Sequence, residues 1–278
     1  MVKRNPIILL SVFLLIAALF VFGCSNDFFG LVYSNDLDER LNHKDVMTFV
    51  NDSPALSPLG DTYNFIVVTD THIEDGDDFG LGGIKSAVIA HNARFVVNLG
   101  DITQHGAAHD IDLFIEIADD LGVPFYPVIG NHDIYFDTWH VWRDKIGSTN
   151  YRINSGSTSL FVLDSANAFI GKRQLDWLEN ELKTITAPGH RVFVFTHAPL
   201  FTTGIKMQQV TDSRERARVI SILRNRADIM FMGHSHQRAI NRAGNVEYVT
   251  FEDFKSTKIY TVVRVTPAGV SYEFHELY

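Results

Sequence analysis

Residues 65–72 read Phe-Ile-Val-Val-Thr-Asp-Thr-His, and this stretch sets a pattern that recurs along the chain. Phe65 to Val68 is a short, continuous run of apolar residues, which is typical of a strand buried on both faces. Asp70 and His72 follow where that strand must end. Open α/β sheets bind their ligands at the carboxyl ends of the strands. The stretch therefore predicts an α/β sheet with a binding site at its edge.

The rest of the chain alternates between predicted strands and helices. Further strands are predicted at residues 95–97, 125–129, 160–163, 192–195 and 229–232, and helices at 83–92, 110–121 and 175–185. Another helix begins at Asp212, which with Glu215 has the spacing of a reciprocal N-terminal cap. The chain ends in a predicted hairpin of residues 259–265 and 270–274. This order predicts one domain over residues 61–278, a layered α/β sandwich with mixed sheets.

Candidate ligands follow four more of these strands directly. The groups are Gly100-Asp101, Gly130-Asn131-His132-Asp133, His197 and Gly233-His234-Ser235-His236. Taken singly, each has an ordinary explanation as a tight turn, a helix cap, a solvated loop or a satisfied core histidine. Taken together, they bring Asp, Asn and His side chains to one edge of the fold, where they can converge on metal ions.

These five groups resemble, in order, the motifs of the calcineurin-like metallophosphoesterase superfamily. The superfamily pattern is Asp-x-His, Gly-Asp, Gly-Asn-His-Asp/Glu, a single His and Gly-His-x-His, and it covers Phe65 to His236 here without a substitution at a ligand position. The resemblance implies an α/β fold, an αββα sandwich of two mixed β-sheets flanked by helices. It also implies two metal ions that share Asp101 as a bridging carboxylate. Asp70, His72 and His236 would complete one site, and Asn131, His197 and His234 the other.

The resemblance further implies hydrolysis of phosphate mono- or diesters by a hydroxide held between the two ions. His132 would protonate the leaving alkoxide, and Asp133 would orient His132. Nitrogen and oxygen ligands without a thiolate suit Fe, Mn, Zn, Co or Ni. A catalytically silent binding module on the same fold is the alternative, but such a module is expected to lack some ligands. The substrate stays open among phosphomonoesters, cyclic nucleotides, phospholipid head groups and phosphoproteins, because substrate choice resides in loops around the metals.

Other polar residues near these motifs have two explanations each. His105 either faces the substrate or is an ordinary loop histidine, whereas His109, His140 and His275 show no partner pattern and are expected to be structural or exposed. Asp164-Ser165 ends a strand and can contact residues behind the ligands. The aromatic stretch 135–142 either forms a wall of the substrate pocket or packs on the core.

The N-terminus has the features of an export signal. Lys3 and Arg4 precede an apolar run over residues 7–23, and Val21-Phe22-Gly23-Cys24 resembles a bacterial lipobox. We expect residues 1–23 to be a lipoprotein-type signal peptide and Cys24 to be lipidated; an uncleaved anchor helix is the alternative. Either one places the rest of the chain outside the cytoplasm and tethers it to a membrane. Residues 24–60 are expected to form a tether with a short packed turn or helix within 36–49.

Composition restricts the partners. The formal charge is −9, and it falls to −11 without residues 1–23 because these contain Lys3 and Arg4 and no acidic residue. An acidic surface without a basic cluster repels polyphosphate backbones, so nucleic acid is disfavoured and a small phosphate ester is the expected partner. Cys24 is the single cysteine, which excludes an internal disulfide.

Overall fold

The protein is described by a computed structural model that covers residues 37–42, 56–202 and 209–277, without the side chain of Phe136. The predicted signal peptide, the lipidation site Cys24 and much of the predicted tether lie outside these ranges. Within these ranges, no helix combines the length and apolar character needed to cross a membrane.

Two mixed sheets form the centre of the fold. The strands are β1 Tyr63–Val68, β2 Ala93–Asn98, β3 Phe125–Pro127, β4 Tyr151–Ser155, β5 Thr158–Val162, β6 Arg191–Thr196, β7 Ile229–Met232, β8 Ala239–Ala243, β9 Val246–Thr250, β10 Ile259–Thr266 and β11 Gly269–Glu276. The first sheet has the order β11-β10-β1-β2-β3 and the second β4-β5-β6-β7-β9-β8. β1, β2 and β3 are parallel, as are β5, β6, β7 and β9, while β10, β11, β4 and β8 pair antiparallel with their neighbours.

Helices cover the outer faces of both sheets. They are α1 Leu37–Asn42, α2 Ile84–His91, α3 Ala108–Asp120, α4 Trp139–Lys145, α5 Lys172–Lys183, α6 Ser213–Leu223 and α7 Phe254–Thr257, with 3-10 turns at Leu81–Gly83 and His132–Asp137. The predicted sandwich of two mixed sheets flanked by helices is therefore the observed fold. The predicted C-terminal hairpin is also observed, with β10 and β11 paired from Ile259 to Glu276.

The continuous apolar strands are explained by burial on both faces. In β1, Ile66 and Val68 pack with the helices of the first sheet, whereas Phe65 and Val67 point into the space between the sheets. Phe65 is stacked on Phe95 with 4.7 Å between ring centroids, and aromatic rings from the second sheet contact its edge. A third cluster, which includes Val194, fills the space between the second sheet and its helices.

The reciprocal cap expected at the start of α6 is wrong. Asp212 does accept a hydrogen bond from the backbone N–H of Arg214, 2.7 Å away. Glu215 does not return the contact, because its carboxylate accepts from the backbone N–H groups of Ile170 and Gly171, both at 2.9 Å. Glu215, which the local pattern assigned to the cap, therefore makes a tertiary contact with a distant loop instead.

The described parts of the predicted tether pack on the domain. Leu37, Arg40 and Leu41 of α1 are buried, and so is Leu59, whose backbone N–H donates to Ser155 at 3.0 Å. Of the candidate helix within 36–49, residues 37–42 are helical and 43–49 lie outside the described part of the chain. The lead-in is therefore not a free linker over its whole length.

Candidate metal centre

The predicted ligands meet at the carboxyl ends of strands from both sheets. Asp70 and His72 follow β1, Asp101 follows β2, Asn131 follows β3, His197 follows β6, and His234 and His236 follow β7. Among the described residues, three ligand-like groups have their donor atoms within 4.8 Å of one another: Asp70-His72-His236, His72-Asp101-His132 and Asp101-His197-His234. These groups contain six of the seven predicted ligands, and the seventh, Asn131, joins them with its Oδ1 3.1 Å from Nε2 of His197.

Asp101 lies between two halves of this cluster. Its Oδ1 accepts a hydrogen bond from the backbone N–H of His132 at 2.8 Å, which fixes the carboxylate plane. Its Oδ2 lies 3.2 Å from Nε2 of His197 on one side and 3.9 Å from Nε2 of His72 on the other. One carboxylate oxygen therefore faces both halves, as a bridging ligand must.

The half around His197 is a set of lone pairs that face one another. Nδ1 of His197 donates to the carbonyl of Leu99 at 2.9 Å, so in the neutral ring Nε2 carries a lone pair. That Nε2 lies 3.1 Å from Oδ1 of Asn131 and 3.1 Å from Nδ1 of His234. Acceptors this close repel unless a proton or a cation lies between them. Imidazole, amide oxygen and carboxylate are suitable ligands for a divalent transition ion.

The half around His72 contains polar atoms without hydrogen-bond partners. Oδ1 of Asp70 and both ring nitrogens of His72 are buried and make no hydrogen bond. Oδ1 of Asp70 lies 3.2 Å from Nε2 of His236, whose Nδ1 is 3.7 Å from Oδ1 of Asp253. Buried polar atoms are normally paired, so three such orphans in one pocket indicate a missing ligand. These residues fit a bound cation.

The pKa values show how the cluster holds charge without a cation. Burial works to raise the pKa of Asp101, but the imidazoles of His197 and His132 outweigh it and hold that pKa well below its usual range. Burial works to lower the pKa of His197, but Asp101 outweighs it and raises that pKa to about 9. Burial, with the charge of His197, lowers the pKa of His234 to about 4. Burial also works to lower the pKa of His236, but its contact with Asp70 outweighs burial and raises that pKa, so imidazolium charge answers the carboxylates in both halves.

The backbone at the ligands is in an unusual conformation. Five of the seven predicted ligands have a positive φ: Asp70 (52°), His72 (46°), Asp101 (49°), His234 (69°) and His236 (53°). This left-handed region costs an L-residue about 1–2 kcal/mol. Strained backbone of this kind is concentrated at functional sites, and here it turns side chains from different strands toward one point.

Two glycines of the sequence motifs are required by close approach. A Cβ on Gly100 would lie 2.7 Å from Nδ1 of His197, and Gly100 itself has a φ of 105°. A Cβ on Gly130 would lie 2.1 Å from the backbone nitrogen and 2.2 Å from Oδ1 of Asp101. These glycines allow the loops of β2 and β3 to touch at the bridging carboxylate.

The prediction that Asp133 contacts His132 and orients it is wrong. The Asp133 carboxylate is turned away into the backbone, where it accepts from the N–H groups of Thr103 and Gly130, both at 2.9 Å. Burial, reinforced by the charge of Asp101, raises the pKa of Asp133 to about 7. His132 is oriented instead by the carbonyl of Gln104, which accepts from Nδ1 at 2.9 Å and leaves Nε2 facing the cluster.

Tyr135 has a role that the sequence did not reveal. Its hydroxyl accepts a hydrogen bond from Nδ2 of Asn131 at 2.8 Å, which turns Oδ1 of that amide toward the cluster, and its ring lies 4.4 Å from that of His132. Trp139 and Trp142 are buried in the core instead. Of the stretch 135–142, Trp139 and Trp142 therefore pack on the core, whereas Tyr135 contacts the predicted ligand Asn131; a wall of the substrate pocket stays a prediction.

Three histidines outside the predicted ligand set are exposed. His105 is half exposed, 3.5 Å from Oε1 of Glu74, whose Oε2 lies 3.2 Å from Nζ of Lys255. His109 and His140 are exposed, as expected. These exposed positions contribute no ligand atom to the groups that surround Asp101.

Comparison with known proteins identifies relatives of this chain. The profile of the family described as calcineurin-like phosphoesterase matches residues 63–238. A protein of Fibrobacter succinogenes described as a probable cyclic nucleotide phosphodiesterase is 28% identical over 200 residues, which cover 66% of this chain and 77% of that protein. A probable glycerophosphodiester phosphodiesterase of Arcobacter nitrofigilis is 25% identical over 197 residues, 62% of this chain and 71% of that protein.

The fold also resembles that of a solved enzyme structure. The purple acid phosphatase PPD1 from yellow lupin seeds superposes with a TM-score of 0.64 over 81% of this chain and 53% of that one, at 12% sequence identity. At this identity the likeness concerns the fold alone, and it agrees with the two mixed sheets described above.

Substitution of Gly130 by Ala tests the contact between the two loops. The new methyl group would overlap Asp101, so we expect the free energy of unfolding in urea to fall by about 1–3 kcal/mol. Gly60→Ala is the matched control, because a Cβ there meets nothing within 4 Å and no positive φ is involved. An equal effect of the two substitutions would contradict the close approach at Asp101.

Proposed function

Because this chain belongs to the calcineurin-like phosphoesterase family, we propose that it hydrolyses phosphodiesters with two metal ions that share Asp101, outside the cytoplasm and close to a membrane. The family establishes a metal-dependent phosphoester hydrolase. The preference for diesters, the binding of two ions, the division of the ligands between them and the location outside the cytoplasm are our proposal. The observation that carries it is the position of Oδ2 of Asp101, between Nε2 of His197 and Nε2 of His72.

The ligands divide between the two ions along the two halves of the cluster. Asp70, His72 and His236 would hold one ion with Asp101, and Asn131, His197 and His234 would hold the other. The orphaned atoms of Asp70 and His72 support the first group, and the opposed lone pairs around His197 support the second. The nitrogen and oxygen donors suit Fe, Mn, Zn, Co or Ni, and they do not choose among these.

The protein's own groups supply the proton transfer. When bound, the ions supply Lewis-acid stabilisation of charge on the phosphoryl oxygens and favour ionisation of water. His132 is held through Nδ1 by the Gln104 carbonyl, so its Nε2 is directed at the cluster, 4.0 Å from Oδ2 of Asp101. With Nδ1 donating to Gln104, His132 carries a proton on Nε2 only as the imidazolium. As water attacks phosphorus and the bond to the leaving oxygen breaks, that proton passes to the leaving oxygen and leaves His132 as the neutral ring. Asp133 acts indirectly, because it fixes the backbone at Thr103 and Gly130.

Relatives of the chain support a phosphodiester substrate. Both curated relatives reported above are described as probable phosphodiesterases, one for cyclic nucleotides and one for glycerophosphodiesters. The alternative of a catalytically silent binding module is less well supported. All seven proposed ligands are present in the sequence, and Nε2 of His132 lies 4.0 Å from Oδ2 of Asp101.

Hydrolysis assays with and without a chelator test the activity. We expect the full chain in detergent to cleave bis(p-nitrophenyl) phosphate with a kcat/KM at least ten times that for p-nitrophenyl phosphate, because the proposed substrate is a diester. We expect EDTA to abolish both rates, and added Mn²⁺ to restore them. Chelator-resistant hydrolysis or the absence of hydrolysis would contradict the proposal, and a faster monoester rate would contradict the diester preference.

Replacement of His132 by Ala tests its role in proton transfer. General acid catalysis contributes roughly 10²–10⁴-fold to a rate, so we expect kcat to fall within that range. The bound metal, measured by inductively coupled plasma mass spectrometry, should not change, because His132 is not one of the proposed ligands. His140→Ala removes an exposed histidine of the following helix α4; it is the control and should keep wild-type kcat. Loss of metal from His132→Ala would overturn the assignment.

We place the protein outside the cytoplasm on the strength of residues 1–24. Lys3-Arg4, the apolar run 7–23 and the lipobox-like 21–24 support export and lipidation of Cys24. Twelve residues separate Cys24 from the docked helix α1, so the domain would lie within about 45 Å of the anchor even if they were fully extended. Phosphoesters outside the cytoplasm are then the accessible substrates.

Substitution of Cys24 by Ser tests the anchor. In a bacterial host, we expect the wild-type chain to incorporate radiolabelled palmitate and partition into Triton X-114, and the variant to do neither. Intact mass gives the second measure, since cleavage before Cys24 removes the mass of residues 1–23 and lipidation of Cys24 adds the mass of the lipid. A wild-type chain that keeps its N-terminus and carries no label would instead support an uncleaved anchor helix.

A further inference from the structure

The short helix α1 carries a buried arginine although it precedes the part of the chain that matches the family. Arg40 is completely buried, and its guanidinium forms a fork with Asp164, with Nε 2.7 Å from Oδ2 and Nη2 2.9 Å from Oδ1. Nη2 also lies 2.6 Å from Oδ1 of Asn167. A charge is costly to bury, and it is tolerated when its partner is close and well oriented. A plain tether has no need of such a contact.

The loop that carries Asp164 supports one of the proposed metal ligands. Oγ of Ser165 accepts from the backbone N–H of Ala198 and lies in hydrogen-bond contact with Oγ1 of Thr196, both at 2.8 Å. Thr196 and Ala198 are the residues on either side of His197. Ser165 therefore holds the backbone from which the His197 side chain projects into the cluster.

Arg40 holds the carboxylate of Asp164, whereas the backbone of Asp164 is held by another residue. Gln174 holds the backbone of Asp164, through the N–H at 2.6 Å and the carbonyl at 2.8 Å. The carboxylate has the guanidinium as its cationic partner. The carboxylate also accepts from the backbone N–H of Ala166 at 3.1 Å, so a carboxylate that moves toward water once Arg40 is lost would pull on the turn that holds Ser165 beside His197.

We propose that Arg40 is a positioning residue for His197, so that α1 acts as a clasp that completes the metal pocket of Asn131, His197 and His234. This rests on the proposed function, because it assigns His197 to a metal ion. The clasp links the segment that leads from the membrane anchor to one half of the metal centre. The other half, around Asp70 and His72, has no such contact with α1 among the described residues.

Metal titration of the full-length Arg40→Met chain tests the clasp. The substitution removes the charge and keeps a long side chain. We expect one of the two Co²⁺ binding steps, followed by visible absorption and calorimetry, to weaken by 10- to 100-fold, the range typical of contacts behind a ligand. We expect the other step to stay within twofold of wild type, and far-UV circular dichroism to stay unchanged.

A control at an exposed contact between α5 and α1 separates the buried pair from general docking. Arg173→Ala removes an exposed contact of 2.6 Å with Asn42 of α1, and it should leave both binding steps unchanged. Two unchanged steps in Arg40→Met, or equal weakening of both, would overturn the clasp. If Arg40→Met does not fold, Arg40→Lys keeps the charge without the fork and is judged by the same criteria. A wild-type chain that binds no Co²⁺ would instead contradict the proposed function.

Discussion

The whole site depends on one electrostatic constraint: acceptor atoms are held so close together that something positive must lie between them. Asp101 presents Oδ2 to two groups of lone pairs, one around His197 and one around His72. In the absence of a cation, a raised pKa of His197 answers part of this need. Around His72, the contact with Asp70 raises the pKa of His236 in the same way, but the ring nitrogens of His72 are buried without a hydrogen-bond partner. The proposed pair of cations would satisfy both halves together.

The fold is built to enforce that crowding. Parallel strands of two packed sheets end at one edge, the aromatic rings between the sheets fix their separation, and the loops bend through left-handed residues to aim their side chains. Hydrogen bonds hold this strained backbone in place. For example, the Asp133 carboxylate accepts hydrogen bonds from the N–H groups of Thr103 and Gly130. Stability stored in the sandwich is thus used to hold repelling groups together.

Much of this could be predicted from the sequence because the signals are local. A buried strand is visible as an apolar run, and the polar residues that follow it stand next to it in the sequence. The two-sheet fold and the convergence of these polar side chains were therefore accessible, whereas their role as metal ligands stays a prediction. The edge strands β4 and β8 were not predicted, since they are only partly buried and weakly patterned. β9 was also not predicted, although it is mostly buried. The Gly244-Asn245 turn between β8 and β9 was the one signal available for that hairpin.

What the sequence concealed are contacts between distant segments. Glu215 left its expected cap for a loop 45 residues away, and Gln104 rather than Asp133 orients His132. Arg40 and Asp164 are 124 residues apart, and neither lies in a motif. Tyr135 sits in an aromatic stretch that gives no sign of which ring faces Asn131. Local spacing carries no information on such pairs, because the tertiary fold decides them.

The central claim, that Oδ2 of Asp101 is shared by two cations, is tested most directly by anomalous diffraction. Crystals of the full-length protein grown with Mn²⁺ should be measured at energies above and below the manganese absorption edge. The account predicts two anomalous peaks about 3.5–4 Å apart, both within coordinating distance of Oδ2 of Asp101. A single peak, or peaks that do not share that oxygen, would contradict it.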